Sequence, residues 1–201
     1  MYFGTPKMHL DDQSFLELSR KNKDKAFNYL VDAYSSKIFN TCINLIRNRE
    51  DAEDVTQEVF TAVYLSLDRY GGDSKLSTWI YSIALNKSKE FLRKKMRKKR
   101  SGMMTTLEKD DSHIVPTATI EFDHPGVLLE NKERTQILFD AIDQLAENQK
   151  IAYTMHKIEG ISYSEIAELT ELSVSSVESL MFRAKKKLQQ LLEDYYKENE
   201  K

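Results

Sequence analysis

Apolar residues recur at spacings of three and four through two long tracts of this chain, and they lose that period between them. In the first tract Phe27, Leu30, Val31, Tyr34, Ile38, Cys42 and Leu45 predict a long amphipathic helix with one apolar face. After the polar break RNRED, Ala52, Val55, Val59, Ala62 and Val63 predict a second helix. The loop RYGGDSK follows, where Gly71 and Gly72 permit a sharp turn. Ser74 or Ser77 is expected to cap a third helix, with Ile80, Ile83, Ala84 and Phe91 facing inward, that continues into the basic run KEFLRKKMRKKR. Three or four helices around one core are expected over residues 10–100.

Between 101 and 130 no period is sustained, and two of the chain's three prolines fall there, so this stretch reads as a flexible linker. Helical spacing resumes over 131–199, first with Ile137, Leu138, Ala141, Ile142 and Leu145, then with Ile151, Ala152, Met155 and Ile158. Gly160 is expected to end that second helix. Ser162 and Glu165 read as a capping box opening the short helix SYSEIAELT, and Ser173 as the cap of a final helix with Val177, Met181, Ala184, Leu188 and Leu191 inside.

Composition agrees with an all-α fold of two small helical domains. The 201 residues are 40% hydrophobic and include only six Gly, which favours helices over a turn-rich β protein. No apolar run approaches the roughly 18 residues of a membrane span, and MYFGTPKMHLDDQ lacks the basic and apolar parts of a signal peptide. The expected location is cytoplasmic. The single Cys42 lies among apolar helical neighbours and is expected to be a buried thiol. One Cys and four scattered His give no metal cluster, and neither GxxxxGK[ST] nor GxGxxG occurs. Enzymatic chemistry, a cofactor and a small-molecule substrate are therefore not expected.

Charge is distributed unevenly although its sum is only −2. In REDAEDVTQEVF one stripe holds Glu50, Glu53 and Gln57 and a neighbouring one Asp51, Asp54 and Glu58. Acid in the first turn stabilises a helix through its dipole, but Gln57 and Glu58 lie beyond that turn. Their surface suits a basic protein partner and repels nucleic acid. Tyr70, Trp79, Tyr81 and Asn86 stand just before the basic run, a mixture of rings and cations that suits single-stranded nucleic acid, although Trp79 also fits plain core packing. In the second tract, SYSEIAELT and the helix after Ser173 match a helix-turn-helix, whose second helix enters the major groove. On that helix Ser176, Ser179, Arg183 and Lys186 share one face. An ordinary helical hairpin with a solvated lysine face is the alternative.

Taken in order, AEDVTQEVF, a Gly-containing loop, STWIYSIALNKSKEFLRKK, a linker and IEGISYSEIAELTELSVSSVESLMFRAKKKL resemble the extracytoplasmic-function branch of the sigma-70 family of bacterial RNA polymerase sigma factors. The resemblance covers most of the chain and implies a sigma-2 helical bundle and a sigma-4 helix-turn-helix joined by a linker. It also implies a DNA-binding transcription initiation factor with no enzymatic activity. Core RNA polymerase would be met through its β′ clamp helices by Asp51, Asp54, Gln57 and Glu58, and through its β flap by the sigma-4 domain. The −10 promoter element would be held by Ser66, Tyr70, Tyr81, Asn86, Arg93, Lys94, Lys95 and Arg97, with one base flipped out of the duplex. The −35 element would be read by Ser175, Ser176, Ser179, Phe182, Arg183 and Lys186. Promoter DNA, core polymerase and an anti-sigma factor are the implied partners.

Three positions depart from the family's pattern. Glu178 and Leu180 stand where basic residues are frequent, and Ala146 where proline is. The two lost cations imply a weaker or altered −35 contact. A conventional regulator that binds an operator without polymerase is the alternative function, but it leaves the acidic helix and the aromatic loop unexplained.

Overall fold

The computed structural model describes residues 10–100 and 125–199, and every regular element among them is helical. The chain forms two compact units, which divide outside the described residues.

The first unit holds α1 (Asp12–Lys21), α2 (Lys23–Ile46), α3 (Arg49–Ser66), a 3-10 turn (Leu67–Arg69) and α4 (Leu76–Arg100). Asn22 serves both helices at the first joint. Its own N–H closes α1 by donating to the Leu18 carbonyl at 2.8 Å, and its side chain opens α2 by accepting from the Lys25 N–H at 2.9 Å. At the next joint Arg47 ends α2 in the left-handed region, with φ 65°, and Asn48 opens α3 by accepting from the Asp51 N–H at 2.9 Å. Two residues therefore suffice to fold α3 back on α2.

The predicted inward faces meet in one core. Phe15, Leu30, Ile38, Cys42, Val55, Val59, Val63, Leu67, Ile80 and Ala84 are all buried, and each large side chain contributes about 1.5–3 kcal/mol through the water it excludes. Ile83 and Phe91 pack against this core from its margin.

The expected serine cap of α4 is displaced. The helix begins at Leu76, with the Lys75 carbonyl accepting the Trp79 N–H at 3.0 Å, so Ser77 lies inside the first turn. Ser74 stands two residues ahead of the helix, and its carbonyl accepts the Tyr70 hydroxyl at 2.9 Å. Gly72 makes the turn before it, with φ 84° and no room to spare: a Cβ there would lie 3.3 Å from a Leu16 methyl.

The second unit holds α5 (Pro125–Asp143), α6 (Glu147–Tyr153), a π turn (Thr154–Ile158), α7 (Tyr163–Thr170) and α8 (Val174–Asn199). Residues 101–124 of the expected linker lie outside the described residues. α5 starts at Pro125, ahead of the expected 131, because a proline that punctuates a loop is equally favoured as the first helical residue. Ala146 stands at the N-cap position of α6 with φ −62°, an angle proline also adopts, so alanine here demands no different φ.

The π turn was not visible in the spacing of Ile151, Ala152, Met155 and Ile158. It widens one turn, leaving Met155 fully buried and Ile158 at the margin. Gly160, at φ 71°, then redirects the chain as expected. The capping box of Ser162 and Glu165 is formed, Glu171 ends α7 in the left-handed region, and the Ser173 hydroxyl accepts the Ser176 N–H at 3.2 Å to open α8.

Candidate nucleic-acid interface

Burial of Val55, Val59 and Val63 fixes the rotation of α3 and turns Glu50, Glu53, Asp54, Gln57 and Glu58 to solvent. Arg49 donates to Glu53 at 2.7 Å, and Lys87 of α4 lies 3.6 Å from Glu58. Asp54 makes no ion pair among the described residues. Asp51 sits differently. It is half-buried at the α3–α4 boundary and accepts from Lys95 at 2.9 Å, so a residue expected to meet protein holds one expected to meet DNA. Leu65, 71% exposed, continues the line of Asp54, Glu58 and Thr61. An apolar residue type does not mark Leu65 for a surface, but its offset of two from inward Val63 directs it away from the core.

On α4 the candidate residues separate into two groups. At about 100° per residue, Trp79, Asn86, Arg93 and Arg97 fall on one face, whereas Tyr81 and Lys95 lie about 140–180° around the axis from Asn86. Asn86, Arg93 and Arg97 are exposed, while Tyr81 is half-buried with its ring against the core. Lys94 is exposed and bonds Glu90 at 2.8 Å; that hydrogen bond and its charge raise the lysine's pKa and lower the carboxylate's. Ser66 is half-buried, and its hydroxyl donates to the Ala62 carbonyl at 2.6 Å.

Tyr70 is a core residue in this structure. Only 6% exposed, it packs its ring against Phe15 at 6.0 Å and Trp79 at 5.0 Å. Burial, reinforced by Asp12, Tyr34 and Asp73, pushes its phenol up to about 12. In the unfolded chain a tyrosine ionises near pH ~10, so between about pH 10 and pH 12 the unfolded state sheds a proton that the folded state keeps. Stability should therefore be constant with respect to this group below that window and fall by about 3 kcal/mol across it. Denaturant titrations of the protein and of Tyr70→Phe across the window test this; equal losses in both would refute it.

In the second unit, buried Val177, Met181, Ala184 and Leu188 anchor α8 and leave Ser175, Glu178, Ser179, Phe182, Arg183 and Lys186 exposed. Phe182, at 70% exposure, is an aromatic ring held out in water. Ser175 and Ser176 lie with their hydroxyls 3.1 and 2.8 Å from that of Ser173, gathered at the cap. Arg183 donates back to the Ser179 carbonyl at 3.1 Å. Leu180 is half-buried, while Glu178 is open to solvent. Lys185 and Lys187 extend the exposed charge beside Lys186.

An acidic helix face, a helix bearing an exposed amide and arginines, and a helix-turn-helix are thus present in one chain. Residues 30–98 match Sigma-70 region 2, and residues 135–188 match Sigma-70, region 4. The chain is 33% identical over 180 residues to an ECF RNA polymerase sigma-E factor of Haemophilus influenzae, covering 90% of this chain and 94% of the relative. It is 35% identical over 176 residues to the sigma-E factor of Escherichia coli, covering 88% and 91%. Among solved structures, CnrH in complex with the cytosolic domain of CnrY superposes with a TM-score of 0.65 at 22% identity, covering 91% of this chain and 97% of that one. The sigma factor RpoE bound to the anti-sigma factor NepR, from Bartonella quintana, gives the same score and identity over 84% and 98%. Both tracts and their order are shared with these relatives, and the chain belongs to the extracytoplasmic-function branch of the sigma-70 family, whose members are transcription initiation factors and not enzymes.

Proposed function

We propose that this protein brings core RNA polymerase to promoters by docking the exposed face of α3 on the polymerase and holding DNA with α4 and α8. The observation that carries this reading is the division of charge in the first unit: Asp54, Gln57 and Glu58 face outward on α3, while α4 presents Asn86 in line with Arg93 and Arg97. Acid repels phosphate and suits a basic protein surface. Arginines beside an amide suit a strand whose phosphates are gripped while a base is hydrogen-bonded.

Asp51, Asp54, Gln57 and Glu58 are assigned to the β′ clamp helices. Ser66, Tyr70, Tyr81, Asn86, Arg93, Lys94, Lys95 and Arg97 are assigned to the −10 element, with Asn86 as the group that meets a flipped base and Tyr70 acting through its packing on Trp79. The cost of unstacking that base, a few kcal/mol, is offset by the contacts it gains. Ser175, Ser176, Ser179, Phe182, Arg183 and Lys186 are assigned to the −35 element, with Lys185 and Lys187 on phosphates and the β flap. Polymerase holds both units near DNA together, which raises their effective concentration and compensates for modest affinity in each. The family resemblance adds an anti-sigma factor as regulator. Among the described residues no helix is long and apolar enough to cross a membrane, and the proposed place of action is the cytoplasm.

Reconstitution with bacterial core polymerase tests the reading. Transcription from a restricted promoter set is expected, dependent on this protein; DNA binding of equal strength and selectivity without core would instead favour the operator-binding regulator.

A further inference from the structure

Glu178 is the only carboxylate in the first 19 residues of α8, and several ordinary reasons for an acid on a helix do not apply to it. It lies beyond the first turn, where the helix dipole no longer rewards negative charge. Its neighbours at three and four residues are Val174, Ser175, Met181 and Phe182, so no lysine or arginine on α8 is in register to pair with it. Among the described residues it makes no ion pair. The carboxylate is exposed beside the exposed ring of Phe182, on the part of α8 that the proposed function places in the major groove.

We infer that Glu178 is a specificity-determining residue, whose carboxylate accepts a hydrogen bond from the exocyclic amine of a cytosine in the −35 element. The inference rests on the assignment of α8 to that element. An ionised carboxylate only accepts hydrogen bonds. In the major groove guanine offers the two acceptors O6 and N7, which repel it, and thymine offers an acceptor and a methyl group. Adenine sets its amine next to the acceptor N7. Cytosine presents its N4 amine with no acceptor on the same edge, so it is the base a lone carboxylate prefers. Phosphate repels a carboxylate, so a base edge is the DNA contact open to Glu178.

The test uses the full-length protein with core polymerase on a promoter library randomised through the −35 region, for the unsubstituted protein and for Glu178→Ala, Glu178→Gln and Glu178→Arg. All four residues are good helix formers at an exposed site, so folding is preserved. The unsubstituted protein should prefer cytosine at one position by about tenfold or more. Glu178→Ala should lose the preference there alone, Glu178→Gln should move it to adenine, and Glu178→Arg to guanine. The same preferred base in all four proteins would overturn the inference, as would a gain in affinity on Glu178→Ala that is uniform over every sequence. If the unsubstituted protein selects no −35 sequence, the assignment of α8 fails instead.

Discussion

Replacing Asp54 and Glu58 together by lysine should lower affinity for core polymerase by about a hundredfold or more, without unfolding the protein. Like charges brought together across an interface cost several kcal/mol, and each 1.4 kcal/mol is about a factor of ten. The fold loses little, because both side chains are exposed and the burial of Val55 and Val59 that seats α3 is untouched. The ion pair forfeited is Glu58 with Lys87, at 3.6 Å and with 58% of the Glu58 side chain in solvent; such pairs contribute about 0–1 kcal/mol. Binding titrations with labelled core, together with thermal melts, separate the two effects. Undiminished binding would remove α3 as the docking face.

Tyr70→Ala should destabilise the first unit by about 3–5 kcal/mol, since it empties a site between Phe15 and Trp79 that holds a nearly buried ring. In a domain of this size that lowers Tm by about 12 °C or more. Asn86→Ala, at an exposed position, should alter stability by about 0.5 kcal/mol or less yet slow formation of the open promoter complex. A defect in Tyr70→Ala therefore says little about base capture, whereas one in Asn86→Ala does. Wild-type melting of Tyr70→Ala would contradict the packing, and open complexes formed at full rate by Asn86→Ala would remove it from the flipped-base role.

Helices were readable wherever one face is buried, because periodic burial leaves a periodic sequence. Val55, Val59 and Val63 announced α3, and Val177, Met181, Ala184 and Leu188 announced α8, in both cases with the rotation that the structure has. Features set by a single bond geometry were not readable. The π turn at Thr154–Ile158 changes the register of a helix without changing its composition, and α4 starts at Leu76, with the Lys75 carbonyl accepting the Trp79 N–H, where no side-chain type announces it. Candidate residues were found by type and order, but their grouping needed the helix rotation. Tyr81 and Asn86 are close in sequence and point in different directions, and Tyr70, which looked like part of an open aromatic site, is closed by the core. Glu178 was visible as a departure from a family pattern; that it forms no ion pair among the described residues needed the fold.

The bridge between Asp51 and Lys95 makes the two proposed surfaces thermodynamically linked. A polymerase side chain that claims Asp51 leaves the lysine's charge less neutralised, and a phosphate that claims Lys95 does the same for the carboxylate. Each event lowers the work required for the other, and by reciprocity the gain is the same whichever occurs first. With both side chains more than one-quarter exposed, the gain is small for one pair, about 1 kcal/mol or less. Its sign is what matters: free protein would hold DNA slightly less well than protein on polymerase, so the same ion pair that fastens α4 to α3 would discourage solitary binding to DNA.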